Sequence, residues 1–309
     1  MFALRGIAVS LTFFVLVYCL LSALVSLSWR CLRWLRASEP DLADLLFFWR
    51  VFPLFASVIV TVAFVIPSFQ LLEPRSTDEG VGTLPIALGL AALSLIAWGF
   101  CRVVRAQIQT SRAVSRWLAA SKPLGRGAHT VAFRSRRDAP PLLLAGTSKP
   151  RVLVSEAAVE LLTPDELEVA LKHELAHIRS CDNLKKLLFR CCPFPGMVPL
   201  ESAWSQAAEL TADDDAVCDI NDALNLAAAL VKLSRLLTIA PACTVAFVSG
   251  SLNERVNRLL RWEESRRTSR LHVFRWAAMP SLAAAAFGAF MTYGPSLAMT
   301  HQVTEWLVR

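Results

Sequence analysis

The chain has 309 residues, of which 55% are hydrophobic and only 18% are charged, and its formal net charge is +7. This apolar fraction is high for a soluble globular protein, and the length leaves room for one or two domains. The basic residues cluster beside long apolar runs, which favours contact with anionic lipid head groups over direct binding of nucleic acid.

Four long apolar runs predict membrane-spanning helices, because a helix needs about 20 apolar residues to cross a bilayer. Three of them predict helices at about residues 6–28, 48–71 and 84–101, and the fourth extends over residues 276–303. The first run could instead be a signal peptide, but it is long for one and no clear cleavage site follows it. We therefore expect a mainly α membrane protein with four transmembrane helices.

Arginines flank these runs unevenly, which predicts the orientation. Arg30, Arg33 and Arg36 follow the first run, and another arginine-rich segment follows the third. The loop between the second and third runs carries only Arg75, among acidic residues. By the positive-inside rule, the first and third loops face the cytoplasm and both termini face outward. We therefore expect a multi-pass protein of the cell membrane with a cytoplasmic central domain.

The chain is thus divided into a three-helix transmembrane unit (1–104), a cytoplasmic domain (105–275), and a fourth helix with a short tail (276–309). Proline and glycine punctuate three β-type segments at the start of the central domain, which predicts strands at 130–134, 141–145 and 151–155. An extended peptide could pair with a strand edge, and residues 151–155 are the best candidate for that edge.

A helical pattern follows. Thr163-Pro164-Asp165-Glu166 predicts a helix start, with Thr163 as the N-cap and Glu166 closing a capping box. Further helices are expected around residues 203–218, 223–239 and 253–267. Residues 187–200 are nearly uncharged but contain three prolines. This segment predicts a loop, either against the membrane bundle or buried between helices.

The predicted helix that begins after Thr163 carries an HExxH motif, His173-Glu174-Leu175-Ala176-His177. The two histidines lie one turn apart on the same helix face, so both can bind one metal ion. With Glu174 beside them to accept a proton, the pattern is typical of a zinc peptidase. Glu174 is therefore the predicted general base, and Zn²⁺ is the predicted cofactor.

A catalytic zinc ion requires a third protein ligand, for which Glu209 is the best candidate. It lies about 30 residues downstream, which leaves room for a helix, a turn and a returning helix. Asp213, one turn later, can accept a hydrogen bond from the second ring nitrogen of a ligating histidine. We expect Asp214 and Asp215 to lie on a solvated helix face. Asp182 could tie down loop backbone or hold a histidine, and we expect its role to be structural.

With these motifs, the central domain resembles the BlaR/MecR-type integral-membrane zinc metallopeptidases over about residues 130–262. KHELAHIRSCD (172–182) is similar to their HELAHIRxxD core, and PFP (193–195) to the proline-rich turn that follows it. Residues 209–213 resemble their second zinc segment, and ERVNRLL (254–260) resembles the stretch that closes their domain.

The resemblance implies an inserted α+β domain of the gluzincin type, with His173, His177 and Glu209 on zinc and Glu174 as the base. In the best-known members an extracellular β-lactam-binding domain follows the fourth helix, and its acylation leads to cleavage of a cytoplasmic repressor. Here only a short tail to Arg309 follows, and the sequence has no SxxK motif. We therefore do not expect this chain to sense antibiotics.

The expected function is that of a membrane-embedded zinc endopeptidase that cleaves a cytoplasmic regulatory protein, such as a transcriptional repressor, in signal transduction. One alternative is an HtpX-like protease for membrane-protein quality control, which shares HExxH and a distal glutamate on a four-helix frame. The Pro-Phe-Pro turn favours the first function. The other alternative is a non-proteolytic membrane receptor or scaffold. The sequence indicates no oligomeric state.

Overall fold

The fold is given by a computed structural model. It describes residues 2–32, 39–74, 82–119, 121–126, 131–135, 140–145, 151–237, 245–262 and 293–308. Within these ranges the protein is mostly helical. Three helical stretches there are long and apolar enough to cross a membrane: Phe2–Trp29, Leu42–Leu72 and Thr83–Leu118. The length and composition of the first three predicted spans are therefore consistent with a membrane protein.

The three candidate membrane spans consist of helices α1 (Phe2–Leu32), α2 (Glu39–Val60), a π-helical turn (Thr61–Val65), α3 (Ile66–Leu72) and α4 (Thr83–Leu118). The second span runs continuously from α2 through the π-helical turn into α3. Most of the predicted fourth span, residues 276–292, lies outside the described residues. Its last part belongs to a helix, here α11 (Tyr293–Val308), whose Tyr293 hydroxyl donates a hydrogen bond to the carbonyl of Ala63 at 2.9 Å.

Beyond α4 the chain forms a four-stranded sheet in the order β1-β2-β4-β3. The strands are β1 (Lys122–Arg126), β2 (Val131–Ser135), β3 (Leu142–Ala145) and β4 (Arg151–Ser155). Strands β2 and β4 pair in parallel, and the other two pairs are antiparallel. The expectation that β4 offers an edge to substrate was wrong, because β4 is paired on both sides. Strands β1 and β3 lie at the two edges of the described sheet.

Among the described residues, six helices lie between the sheet and α11: α5 (Glu156–Leu161), α6 (Pro164–Arg179), α7 (Asp182–Cys191), α8 (Val198–Ala216), α9 (Ile220–Leu237) and α10 (Val245–Leu260). The capping box at the start of α6 is present, since Thr163 Oγ1 accepts a hydrogen bond from the Glu166 amide and the Glu166 carboxylate accepts one from the Thr163 amide.

The predicted loop at 187–200 was too long. Only residues 192–197 connect α7 to α8, because Pro199 lies in the first turn of α8, where proline is tolerated.

Helices α7 and α8 share one hydrophobic core with the membrane helices. The buried members of this shared core are Val25, Ala43, Leu46, Val51, Phe189, Met197, Leu200, Trp204, Ala207 and Ala208. Two hydroxyls of α1 also donate to the α7–α8 connection: Tyr18 to the carbonyl of Pro193 and Ser26 to the carbonyl of Gly196, both at 3.2 Å. The segment that leads to Glu209 is therefore held directly against the membrane helices.

Arg50 of α2 is the charged residue within this shared core, and its side chain is only 2% exposed. Its Nε and Nη2 donate to one carboxylate oxygen of Glu201, at 2.8 and 2.7 Å. Nη2 also donates to the carbonyls of Phe189 and Cys192, at 3.1 and 2.7 Å. One guanidinium of a membrane helix thus satisfies the end of α7 and pairs with the first turn of α8.

Candidate metal centre

The two histidines of the HExxH motif lie side by side on α6, and both are buried. Their Nε2 atoms are 3.2 Å apart, and their ring planes are nearly perpendicular, at 88°. The capping box fixes where α6 begins, and the helical repeat then brings both rings to one face of the helix. The two nitrogens therefore point into the same small volume.

Helix α8 brings the Glu209 carboxylate to that volume. Glu209 Oε2 lies 3.5 Å from His173 Nε2, and Oε1 lies 3.7 Å from His177 Nε2. Donor atoms bound at about 2.0–2.1 Å to a tetrahedral zinc ion lie about 3.3–3.4 Å from one another. The observed spacings are close to this value, so the donor set fits the group. His173, His177 and Glu209 together could hold a metal ion.

Asp182 orients one of the two rings. Its Oδ2 lies 2.6 Å from His177 Nδ1, on the side of the ring opposite to the metal-facing nitrogen. The contact depends on the turn between α6 and α7, where Cys181 has a left-handed backbone with φ 55°. This turn brings Asp182 back towards the end of α6. Asp182 therefore holds the ring of His177 through Nδ1 and leaves Nε2 facing Glu209.

Asp213 lies beside the other ring, one helical turn after Glu209. Its Oδ1 is 3.0 Å from His173 Nδ1, but the angles at Nδ1 do not complete a hydrogen bond. Each histidine therefore has a carboxylate at Nδ1 and faces the candidate metal position with Nε2. Carboxylates in this position make histidine ligands more basic and hold them in place.

Arg255 of α10 is a member of the site that we did not predict. Its Nε and Nη2 donate to the two carboxylate oxygens of Asp213, both at 2.7 Å, and its Nη1 donates to Glu209 Oε2 at 2.9 Å. The sequence contained one sign of it, the ERVNRLL segment, but nothing there tied the arginine to the acidic residues of α8. Nearby Asp214, whose side chain is 39% exposed, also pairs with Arg258 at 2.7 Å.

The charges of the site reinforce one another. Burial alone lowers the pKa of His177, but hydrogen bonds to Asp182 and Glu209 outweigh it and raise that pKa to about 10. Burial likewise lowers the pKa of His173, and Asp213 and Glu209 raise it above its ordinary value. Burial raises the pKa of Glu209, yet the two histidines and Arg255 hold it well below its ordinary value. Glu209 is therefore kept in the ionised form that binds a cation.

A cavity of about 330 Å³ opens beside the cluster. Glu174 lines it together with His173, Glu209 and Arg255. Much of the remaining wall is apolar and comes from β3, α6, α9 and α10: Leu142, Ala170, Leu226, Ala229, Leu230, Leu233 and Leu252. The predicted base therefore borders a space that is mainly apolar and contains a few charged groups, as binding sites for small groups commonly do.

No protein-family model matches the chain, and no curated protein matches its sequence. The chemistry of the site therefore rests on its own geometry. That geometry brings together two imidazole nitrogens, one carboxylate, a second carboxylate on the same cavity and a fixed guanidinium.

Proposed function

We propose that the protein is an integral-membrane, zinc-dependent endopeptidase. The observation that carries this proposal is the convergence of His173 Nε2, His177 Nε2 and the Glu209 carboxylate at the spacings given above. Two histidines and one glutamate suit zinc well, and three protein ligands leave a fourth position for water, as in catalytic zinc sites. A structural zinc site would normally be closed by a fourth protein ligand.

The chain's own residues then have distinct tasks. When bound, zinc supplies Lewis-acid polarisation and water activation. Glu174 takes a proton from the attacking water and later gives it to the leaving amine, which is general base and then general acid catalysis. Asp182 and Asp213 keep the rings of His177 and His173 in the orientation that presents Nε2.

The edge strand β3 supports a peptide as the substrate. An extended peptide can add to a sheet edge through main-chain hydrogen bonds, which gives affinity without demanding particular side chains. Pro141 and Leu142, at the start of β3, line the same cavity as His173 and Glu174. A peptide on β3 would thus run past the proposed catalytic residues and could place an apolar side chain in the cavity.

We also propose that the domain faces the cytoplasm. Helices α1 and α4 contact the α7–α8 region through their later residues: Ser26 bonds to Gly196, and Gly99 closely approaches Cys191. The arginine clusters follow the same ends of these helices in the sequence. The positive-inside rule assigns those ends to the cytoplasm.

The resemblance to the BlaR/MecR-type peptidases supports a single regulatory protein, such as a transcriptional repressor, as the target. Glu174→Gln tests the proposal directly. We expect the purified variant to keep about one zinc ion per chain and to lose cleavage, because the amide cannot accept the proton. Comparing protein fragments in cells that carry the wild type or Glu174→Gln would identify the substrate.

Glu168→Gln is the matched control, since it makes the same change on α6 at an exposed carboxylate paired with Lys172. It should leave cleavage and zinc content unchanged. Unchanged cleavage by Glu174→Gln would refute the assigned base, and wild-type protein without zinc would refute the metal centre. Accumulation of many damaged membrane proteins, in place of one target, would favour quality control over signalling.

A further inference from the structure

Arg255 contacts both Asp213, which lies beside a histidine ring, and Glu209, which is the proposed third metal ligand. Through one edge of its guanidinium it grips both oxygens of Asp213, the carboxylate behind His173. Through Nη1 it holds Glu209, the third ligand. We propose that Arg255 is a positioning residue of the metal centre, which fixes Glu209 for ligation and, through Asp213, the ring of His173. This inference rests on the metal site of the proposed function.

Glu209 is the ligand that most needs such support. Its side chain is 30% exposed, whereas those of His173 and His177 are buried. A glutamate has three side-chain torsions, and ordering them has an entropic cost that metal binding must otherwise meet. The hydrogen bond from Arg255 Nη1 holds the carboxylate beside the two histidine nitrogens before any ion arrives.

The shape of the guanidinium matters as well as its charge. The two-point contact with Asp213 is the planar fork geometry in which arginine binds a carboxylate, and it fixes direction as well as distance. The side chain of Arg255 is only 11% exposed, so water does not readily replace these bonds. A lysine at this position would keep the charge but could not make the same two-point contact.

Charge and positioning predict opposite effects on metal affinity. A cation near a divalent metal ion repels it, so removing the Arg255 charge would by Coulomb's law alone tighten metal binding. If Arg255 acts by positioning, its removal loosens Glu209 and Asp213 and weakens metal binding. The sign of the change therefore separates the two effects.

Arg258 provides a matched control on the same helix. It lies about one turn from Arg255 on α10 and pairs with Asp214, also on α8, at 2.7 Å. This pair helps to dock α10 on α8 but touches none of the three proposed ligands among the described contacts. Arg258→Ala therefore removes a more exposed ion pair between the same two helices and none of the described contacts to the three proposed ligands.

The experiment uses the full-length protein in detergent and measures the Kd for Zn²⁺ by competition with a chelator. We expect Arg255→Ala to weaken zinc binding about 10–100-fold, the usual effect of losing a residue that orients metal ligands. Arg255→Lys should give a smaller loss, and Arg258→Ala should stay close to wild type. The visible absorption of Co²⁺-loaded protein should also change in Arg255→Ala, because it reports the coordination geometry.

Several results would overturn the inference. Zinc affinity of Arg255→Ala and Arg255→Lys equal to or tighter than wild type would refute positioning while leaving the metal centre intact. An equal loss in Arg258→Ala would assign the effect to helix docking. Wild-type protein that binds no zinc would refute the metal centre itself and this inference with it. If Arg255→Ala does not fold, the comparison of Arg255→Lys with wild type decides.

Discussion

Replacing Arg50 by methionine should destabilise the whole protein, because the change removes the cation paired with Glu201 and a hydrogen-bond donor to two carbonyls at the end of α7. The Glu201 carboxylate loses its cation, and the carbonyls of Phe189 and Cys192 lose a donor. Removing one side of a buried ion pair costs about 3–5 kcal/mol, and an unsatisfied carbonyl about 1 kcal/mol more. Glu201 is 33% exposed, so water recovers part of this cost. We expect a loss of about 4 kcal/mol in all.

Thermal unfolding of the protein in detergent, followed by circular dichroism, measures this effect. At about 2 °C per kcal/mol for a chain of this size, the Tm should fall by roughly 8 °C. The double variant Arg50→Met/Glu201→Leu should recover much of that loss, because it removes both charges together.

Asp44→Asn is the control for Arg50→Met, since Asp44 also links α2 to α7, through Lys185 at 3.1 Å. Asp44 is 72% exposed, so this pair should contribute less than about 1 kcal/mol. A Tm for Arg50→Met within about 2 °C of wild type would refute the argument. So would an equal fall in Asp44→Asn.

Two other predictions concern the start of α6 and the contact between α4 and α7. Burial raises the pKa of Glu166, but hydrogen bonds from Lys232 and Thr163 lower it below its ordinary value. The Lys232–Glu166 ion pair therefore stabilises the fold fully above the pKa of Glu166 in the unfolded chain, about 4.3. This stabilisation is lost as the pH falls through the pKa of Glu166 in the folded protein. The stability difference between wild type and Lys232→Met, measured by denaturant unfolding, should be constant above about pH 5 and shrink below about pH 4. Gly99→Ala should lower the Tm through a loss of about 1–3 kcal/mol, because its Cβ would lie 2.5 Å from the carbonyl oxygen of Cys191.

A specific result would contradict each of these two predictions. A stability difference for Lys232→Met that persists unchanged at low pH would show that the ion pair with Glu166 is not its source. For Gly99→Ala the control is Gly294→Ala, where a Cβ meets no described atom within 4 Å. Equal Tm values for these two alanine variants would show that the approach of α4 to α7 is not tight.

The sequence predicted what depends on local geometry. The spacing within HExxH places His173 and His177 on one face of any helix, and the capping box at Thr163 depends on neighbours three residues apart. The expectation for Glu209 and Asp213 likewise used the spacing of one helical turn. Strand β1 escaped prediction because its segment Lys-Pro-Leu-Gly-Arg contains proline and glycine, which are rare within strands.

Contacts between residues far apart in the chain could not be predicted from sequence spacing. Arg255 meets Asp213 and Glu209 from more than 40 residues away, and Arg50 meets Glu201 from 151 residues away. The Asp182 contact is short in sequence, but it depends on a left-handed backbone at Cys181, and cysteine is not a residue that signals this conformation. These residues could be assigned only when the packing of the helices was known.

The shared core of α1, α2, α7 and α8 has a consequence for how the protein is made. Leu200 and Trp204 of α8 bury their side chains against residues of the membrane helices, and Glu209 follows on the same helix. A fragment limited to residues 105–275 would expose that apolar face to water, so we expect it to aggregate when expressed without the membrane helices. We therefore expect α8 to take up its position only once α1 and α2 cover that apolar face. The proposed protease would then complete its metal site only once it is membrane-bound, which would protect other proteins from a newly made chain.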